Sequence, residues 1–235
     1  MTKLILFQLK KELSSLVDPK QAKVLQKFFK TGPGEYGEGD IFLGIKVPLQ
    51  REVANKYIQL SFDNIENLLK SKIHEYRLIG LLILISKYKI AKEKEREKIF
   101  NFYLKNYQGI NNWDLVDMSA PYIVGDYLLN RNKDILYKLA RSKNLWKKRI
   151  AIVSTFTFIK NNKFNDVLKI SELLLNDNHD LIHKAVGWML RELGKRNQKI
   201  EEDFLKKYIK KMPRTMLRYA IEKFEEKKRK SYLAK

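Results

Sequence analysis

Helical spacing runs through this chain almost without interruption, and it limits the fold more than any other feature. Leu6, Leu9, Leu13 and Leu16 recur every three or four residues, as do Ala22, Leu25, Phe28 and Phe29. That period puts each set on one face of an α-helix. Pro48 stands where a helix can begin, since a first-turn proline gives up no hydrogen bond; this helix carries Val53 and Tyr57. Ser61 is placed to cap the next one, whose buried stripe is Ile65, Leu68 and Leu69. His74 to Tyr88 is the most apolar segment and is expected at the centre of a core. Further helices are predicted over 92–107, 113–129, 132–141, 144–160, 164–175, 179–194, 197–210 and 213–228. Pro121 calls for a start, a break or a kink inside 113–129. Strand alternation is nearly absent; Ile150 to Thr155 is β-branched but keeps a helical frame.

Helices of about 10–18 residues joined by short turns give roughly 35–45 residues per helix pair, the rhythm of HEAT-like repeats. The expected fold is all-α: a HEAT-like α-solenoid of antiparallel helix pairs, one domain over residues 1–235 with its last few residues frayed. Its concave face, lined with basic side chains, would form a groove for a duplex. A compact helical bundle is the alternative. Thr31 to Asp40 interrupts the pattern with four glycines in ten residues. It lacks the Lys-Ser/Thr of a phosphate-cradling loop and reads as a flexible connector to Phe42-Leu43-Gly44-Ile45.

Charge narrows the class of partner. Against 27 Asp and Glu stand 48 Lys and Arg, a formal charge of +21 in 235 residues. Such an excess repels itself and suits a polyanion; lysine-biased genome composition is the competing source. The chain has no cysteine, which excludes disulfides and thiolate-ligated metals. Residues 1–11, with Lys3, Lys10 and Lys11, are followed by no small-residue cleavage site and read as a helix. The longest apolar run, Leu78 to Ile85, is eight residues, far too short to span a bilayer. Cytoplasm is the expected location, at the nucleoid when on DNA, with no membrane partner.

Three tryptophans sit in charged helices. Trp113 and Asp117 are four residues apart, hence on one helical face. Trp113 reads either as a stacking surface or as a half-buried core aromatic. Asp117 reads either as chemistry or as an internal salt-bridge partner, with Asp114 available as the cap. Trp146 suits a packing gap, while Arg149, three residues on, suits a surface charge or a phosphate clamp. Trp188 shares a face with Lys184 and Arg191, an aromatic among cations that suits backbone contact and stacking or a core edge. Together these supply aromatic walls, one carboxylate and one guanidinium. Those parts fit cleavage of the bond between a sugar and an alkylated, positively charged base. Indole faces attract cations, the charged base leaves without a strong general acid, and a carboxylate stabilises the cationic sugar and orients water.

The chain resembles the HEAT-like repeat DNA alkylation-repair glycosylases, a largely bacterial group. The marks are Phe42-Leu43-Gly44-Ile45-Lys46-Val47-Pro48, Asn112-Trp113-Asp114-Leu115-Val116-Asp117 and Trp146-Lys147-Lys148-Arg149-Ile150-Ala151. Lys184 through Glu192 and Met212-Pro213-Arg214-Thr215 with Leu217-Arg218-Tyr219-Ala220 complete them. The resemblance implies excision of 3-methyladenine and 7-methylguanine type lesions from double-stranded DNA. It implies Asp117 as catalytic carboxylate, Trp113 and Trp188 against the sugar and backbone, and Arg149 beside the damaged nucleotide. It also implies no base-flipping pocket, so the indoles would meet the polarised deoxyribose and not sandwich the base.

Charge and position add Lys148, Lys184, Arg191, Arg214 and Arg218 as DNA-binding candidates. Arg214 and Arg218, one turn apart after Pro213, read either as a phosphate site or as ion-pair partners of Glu222 or Glu225. His179 and His183 have a ligand-like spacing but lack a third ligand, so no metal is expected, nor any cofactor or obligate protein partner. The rival reading is a DNA-binding or structure-sensing helical repeat protein without catalysis; a protein-interaction scaffold is a third.

Overall fold

A computed structural model describes residues 2–234, with side chains from Leu4 onward. Met1, the Lys3 side chain and the expected fraying at Lys235 lie outside the described residues. The chain forms two compact units, Met1–Leu115 and Val116–Lys235. Among the described residues both are built from helices joined by loops, an all-α helical repeat architecture. No strand forms among the described residues; a single bridge joins Ile41 to Ile73.

The first unit contains α1 (Thr2–Ser14), α2 (Pro19–Phe28), α3 (Val47–Lys56), α4 (Phe62–Leu69), α5 (His74–Ile90) and α6 (Glu93–Lys105). The expected start signals hold. Pro48 lies in the first turn of α3, and the Ser61 hydroxyl caps α4 by accepting from the Asn64 amide at 3.4 Å. Residues 78–85 of α5 are buried without a gap, which is why that segment is apolar on every side. It packs against α3, α4 and α6. Each fully buried Leu or Ile there contributes roughly 1.5–3 kcal/mol.

The glycine-rich segment is a folded loop and not the flexible connector that its composition suggests. Glu35 accepts from the Gly32 amide at 2.9 Å, Glu38 from Gly34 at 3.0 Å, and the Gly37 amide donates to the Lys30 carbonyl at 3.0 Å. Its end is pinned to α5, where the Ile41 carbonyl accepts from the His74 amide at 2.9 Å. The next residues are gathered by a buried carboxylate. Glu75 accepts from the amides of Leu43, Gly44 and Ile45 at 2.8–3.3 Å. Gly44 has φ +83°, and a Cβ there would sit 2.1 Å from the Asp18 carbonyl, so only glycine fits.

The second unit begins within α7 (Trp113–Ala120) and continues with α8 (Asp126–Leu128), α9 (Asp134–Ala140), α10 (Leu145–Lys160) and α11 (Asn165–Leu173). It ends with α12 (Asp180–Gly194), α13 (Gln198–Tyr208), α14 (Arg214–Ala220) and α15 (Glu226–Leu233). The break signalled by Pro121 is a π-helical turn over Pro121–Gly125 between α7 and α8, the widened turn by which a helix absorbs a missing N–H. The Pro121 carbonyl accepts from the Thr157 hydroxyl at 2.6 Å. Helix α10 is the central helix of this unit, buried continuously over residues 149–155 and packed on α9, α11 and α12. Helix α12 lies against α14, where a Cβ on Gly187 would come within 2.4 Å of the Met216 carbonyl.

Candidate functional site

Helix α7 is launched by Asn112, whose side-chain carbonyl accepts from the Trp113 amide at 2.8 Å. Asp114 lies inside the first turn and is buried; its Oδ1 accepts from the Leu115 amide at 2.8 Å, and Oδ2 accepts from His74 Nε2 at 2.8 Å. Within the first unit the Trp113 indole is held on three sides. It stacks on Phe29 (centroids 5.2 Å, planes 19° apart) and meets Phe28 edge-on at 6.0 Å. Its Nε1–H donates to the Tyr36 hydroxyl at 3.3 Å. The ring is half-buried: it packs against aromatics and keeps part of its surface open.

Asp117 follows one turn later on α7. Its partner comes from α10, whose start is set by Asn144; that side chain accepts from the amides of Trp146 and Lys147, each at 3.0 Å. Two residues of the first α10 turns then point inward. Trp146 is buried core, as a gap-filler should be. Arg149 is neither a surface charge nor an open phosphate clamp: it is 4% exposed. Its Nε donates to Asp117 Oδ1 at 2.9 Å and one terminal nitrogen to Oδ2 at 2.6 Å. The other terminal nitrogen donates to the Leu181 carbonyl at 2.5 Å. One guanidinium thus ties α7, α10 and the first turn of α12. The Asp117 side chain is 16% exposed against 5% for Arg149. This bidentate pair is charge-assisted and geometrically fixed, and the Asp117 side chain keeps a small part of its surface open. Trp188, two turns along α12, is half-buried beside Phe156 at 5.8 Å.

The basic candidates divide sharply. Lys148 is paired with Asp177 and partly buried. Lys184 binds Asp180 at 2.7 Å, and Arg191 binds Glu222. Arg214 and Arg218 are exposed, with an Arg214 terminal nitrogen donating to the Leu233 carbonyl at 2.8 Å. Glu222, a suggested partner for these two arginines, is taken by Arg191. His179 caps α12 by accepting from the Leu181 amide at 3.1 Å, and His183 contacts the Asp177 carbonyl. Among the described residues no group of three His, Asp or Glu side chains is arranged to hold a metal.

One cluster escapes sequence reading altogether. In the first unit His74 is 2% exposed and lies between Asp40 (Nδ1 to Oδ2, 3.3 Å) and Asp114. Arg77, also buried, donates to Asp40 at 2.6 Å and to the Ser71 carbonyl at 2.9 Å. The Asn112 amide reaches the same Asp40 oxygen at 3.4 Å. Burial opposes protonation of His74, but the hydrogen bond and charge of Asp114 and the hydrogen bond to Asp40 outweigh it and raise its pKa. Burial likewise opposes ionisation of Asp40, and His74 and Arg77 reverse that and hold its pKa low. No local spacing signals this cluster; the only hint is that Asp40 closes a glycine-rich segment.

Residues 9–224 match the family model of DNA alkylation repair enzymes. No curated protein matches the chain. Among solved structures, a "Predicted DNA alkylation repair enzyme from Enterococcus faecalis" superposes with a TM-score of 0.71 at 16% identity, over 89% of this chain and 97% of that one. At that identity the likeness speaks for the fold. The family match, covering nearly the whole sequence, speaks for descent: the chain belongs to the DNA alkylation repair enzyme family.

Proposed function

We propose that this protein is a monofunctional DNA glycosylase that hydrolyses the N-glycosidic bond of positively charged alkylated purines, of the 3-methyladenine and 7-methylguanine type, in duplex DNA. The carrying observation is the Asp117–Arg149 pair: a carboxylate gripped from behind by a buried guanidinium and partly open in front. In the reaction the C1′–N bond breaks and its electron pair neutralises the cationic base. A water oxygen forms the new bond to C1′, and the water proton passes to the carboxylate and then to solvent. Asp117 faces the positive charge that develops on the sugar and orients that water. Arg149 holds the carboxylate in place, so no reorganisation is needed as charge develops. Trp113 and Trp188 brace the deoxyribose and backbone beside the lesion.

No cofactor enters this scheme, and residues 1–235 act as one domain. Arg214 and Arg218, the open cations, contact phosphate directly. Lys148, Lys184 and Arg191 do so by exchanging carboxylate for phosphate oxygen, which makes binding strongly salt-dependent.

The test is base release from methylated duplex DNA. The parent protein releases the charged purines, and Asp117→Asn, similar in shape, is slower by about 100- to 1,000-fold while still binding DNA. Tight, salt-sensitive binding by the parent without any released base would overturn the proposal in favour of a non-catalytic DNA-binding role.

A further inference from the structure

We infer that His74 is a positioning residue for base excision: clamped between Asp40 and Asp114, it fixes the helical turn that presents Trp113. The inference rests on the glycosylase reading and adds to it a residue that touches neither sugar nor base.

Three connections run from His74 to Trp113, all within the first unit. The first is through Asp114, the residue after Trp113, which accepts from Nε2 at 2.8 Å. The second is through Asn112, the residue before Trp113. Asn112 caps the Trp113 amide with one side-chain atom and reaches Asp40 Oδ2 with the other, the same oxygen that faces His74 Nδ1. The third is a stack of rings. His74 lies 4.5 Å from Phe42 and 5.1 Å from Phe29, and Phe29 stacks on Trp113 at 5.2 Å. Trp113 is therefore held through its neighbours on both sides and through its own face, and α7 runs on from this turn to Asp117.

The clamp is complete in the imidazolium form. A neutral ring protonated on Nε2 would still donate to Asp114, but its bare Nδ1 would face the Asp40 Oδ2 lone pair at 3.3 Å and have only an Arg77 terminal nitrogen, at 3.4 Å, to accept from. Doubly protonated, His74 donates to both aspartates, and with Arg77 it balances their two charges. Every element around the ring is accounted for. The loop contributes Asp40, α7 contributes Asp114, and α5 itself contributes Arg77, which opposes protonation, and Glu75, which is spent on the backbone of residues 43–45. Helix α2 brings Gln21 and Leu25 to the same pocket and Phe29, the residue after it, brings its ring; none of these is titratable. The α3 side contributes Gln50 and, exposed at the rim, Lys46. Loss of the proton, at a pH above the ordinary histidine value, removes the donor that faces Asp40 and loosens the turn.

Two measurements decide the matter. Trp113 emission is followed against pH in Trp146→Phe/Trp188→Phe, where it is the sole indole. A transition is expected above the ordinary histidine range of about 6.5, and the further change His74→Gln removes it. A flat titration, or one that survives His74→Gln, overturns the inference whether or not the protein excises bases. Base release is then compared in otherwise native protein. His74→Gln is expected to lower kcat by about 10- to 100-fold, the scale of a small misplacement of reacting groups, with DNA affinity within about twofold and the alkaline fall in rate abolished. Parent-like kcat and pH profile, or a loss in KM alone, would sink it. Should His74→Gln fail to fold, Asp40→Asn, which keeps the side-chain volume, is expected to show the same kcat loss, and a parent-like rate there overturns the inference equally. If the parent itself releases no base, it is the glycosylase reading that fails, and the emission titration still decides what His74 does to Trp113.

Discussion

The two units each hold a buried arginine against an aspartate, and the two arrangements are built for different ends. In the first unit Asp40 Oδ2 is met by His74, Arg77 and Asn112 at once, and its side chain is 5% exposed. Its charge is used up within the network. In the second unit the Arg149 guanidinium grips both oxygens of Asp117, and the Asp117 side chain remains 16% exposed. A carboxylate sealed from solvent braces structure; one that keeps part of its surface open can also be reached by a ligand. Burial of the arginine is common to both. The difference lies in the acid, 5% exposed in the first pair and 16% in the second, so only the second keeps a surface that a ligand could touch.

Breaking the second pair should have the largest effect on stability. Arg149→Met removes the guanidinium from the buried Asp117 carboxylate and from the Leu181 carbonyl, so we expect a loss of about 3–5 kcal/mol in denaturant unfolding, together with loss of excision. A change below about 1 kcal/mol would mean that the Arg149 pair is dispensable to the fold and that the contrast with Asp40 is overstated.

Glu201 sharpens the comparison, since it is a buried acid with too few donors. It is 1% exposed, its Oε1 has no hydrogen-bond partner, and burial, aided by Glu202, pushes its pKa up to about 8. The folded state thus holds a proton that the unfolded chain gives up near 4.5, so stability falls as pH rises through that window. Glu201→Gln should stabilise the protein by on the order of 4 kcal/mol at pH 8 and by almost nothing near pH 4.5. A pH-independent effect in thermal unfolding would refute the assignment. His74 behaves in the related sense. Its raised folded pKa gives stability that is full below about 6.5 and lost as pH climbs through the folded value. Asp40, depressed, gives stability that is lost only in acid, below its ordinary 3.8. The first-unit network is therefore strongest between those limits, and His74→Gln should erase its alkaline decline.

The smallest effect belongs to the charges that are bound least. Arg218 is exposed on α14, and Arg218→Ala should leave stability within about 0.5 kcal/mol. It should lower the slope of log affinity against log salt by about one. An unchanged slope in a salt titration of duplex binding would remove Arg218 from the interface.

Much of the fold was written locally. A three-to-four residue apolar period, Pro48 and Ser61 at helix starts, and a proline that distorts the helix after Ala120 are short-range signals, and the chain obeys them because intrahelical hydrogen bonds join residues four apart. The identities of Trp113, Asp117, Arg149 and Trp188 were legible too, as types of side chain suited to a cationic substrate. What periodicity could not decide was partnership. Arg149 meets Asp117 from 32 positions away, and His74 meets Asp40 and Asp114 across 34 and 40. Such pairings cost chain entropy to form and leave no trace in local spacing. Only the packing of helices brings those charges out of water together, so the tertiary structure alone made Arg149 an internal clamp, tied Lys148 and Arg191 to distant acids, and turned a glycine-rich connector into one wall of a buried ionic network.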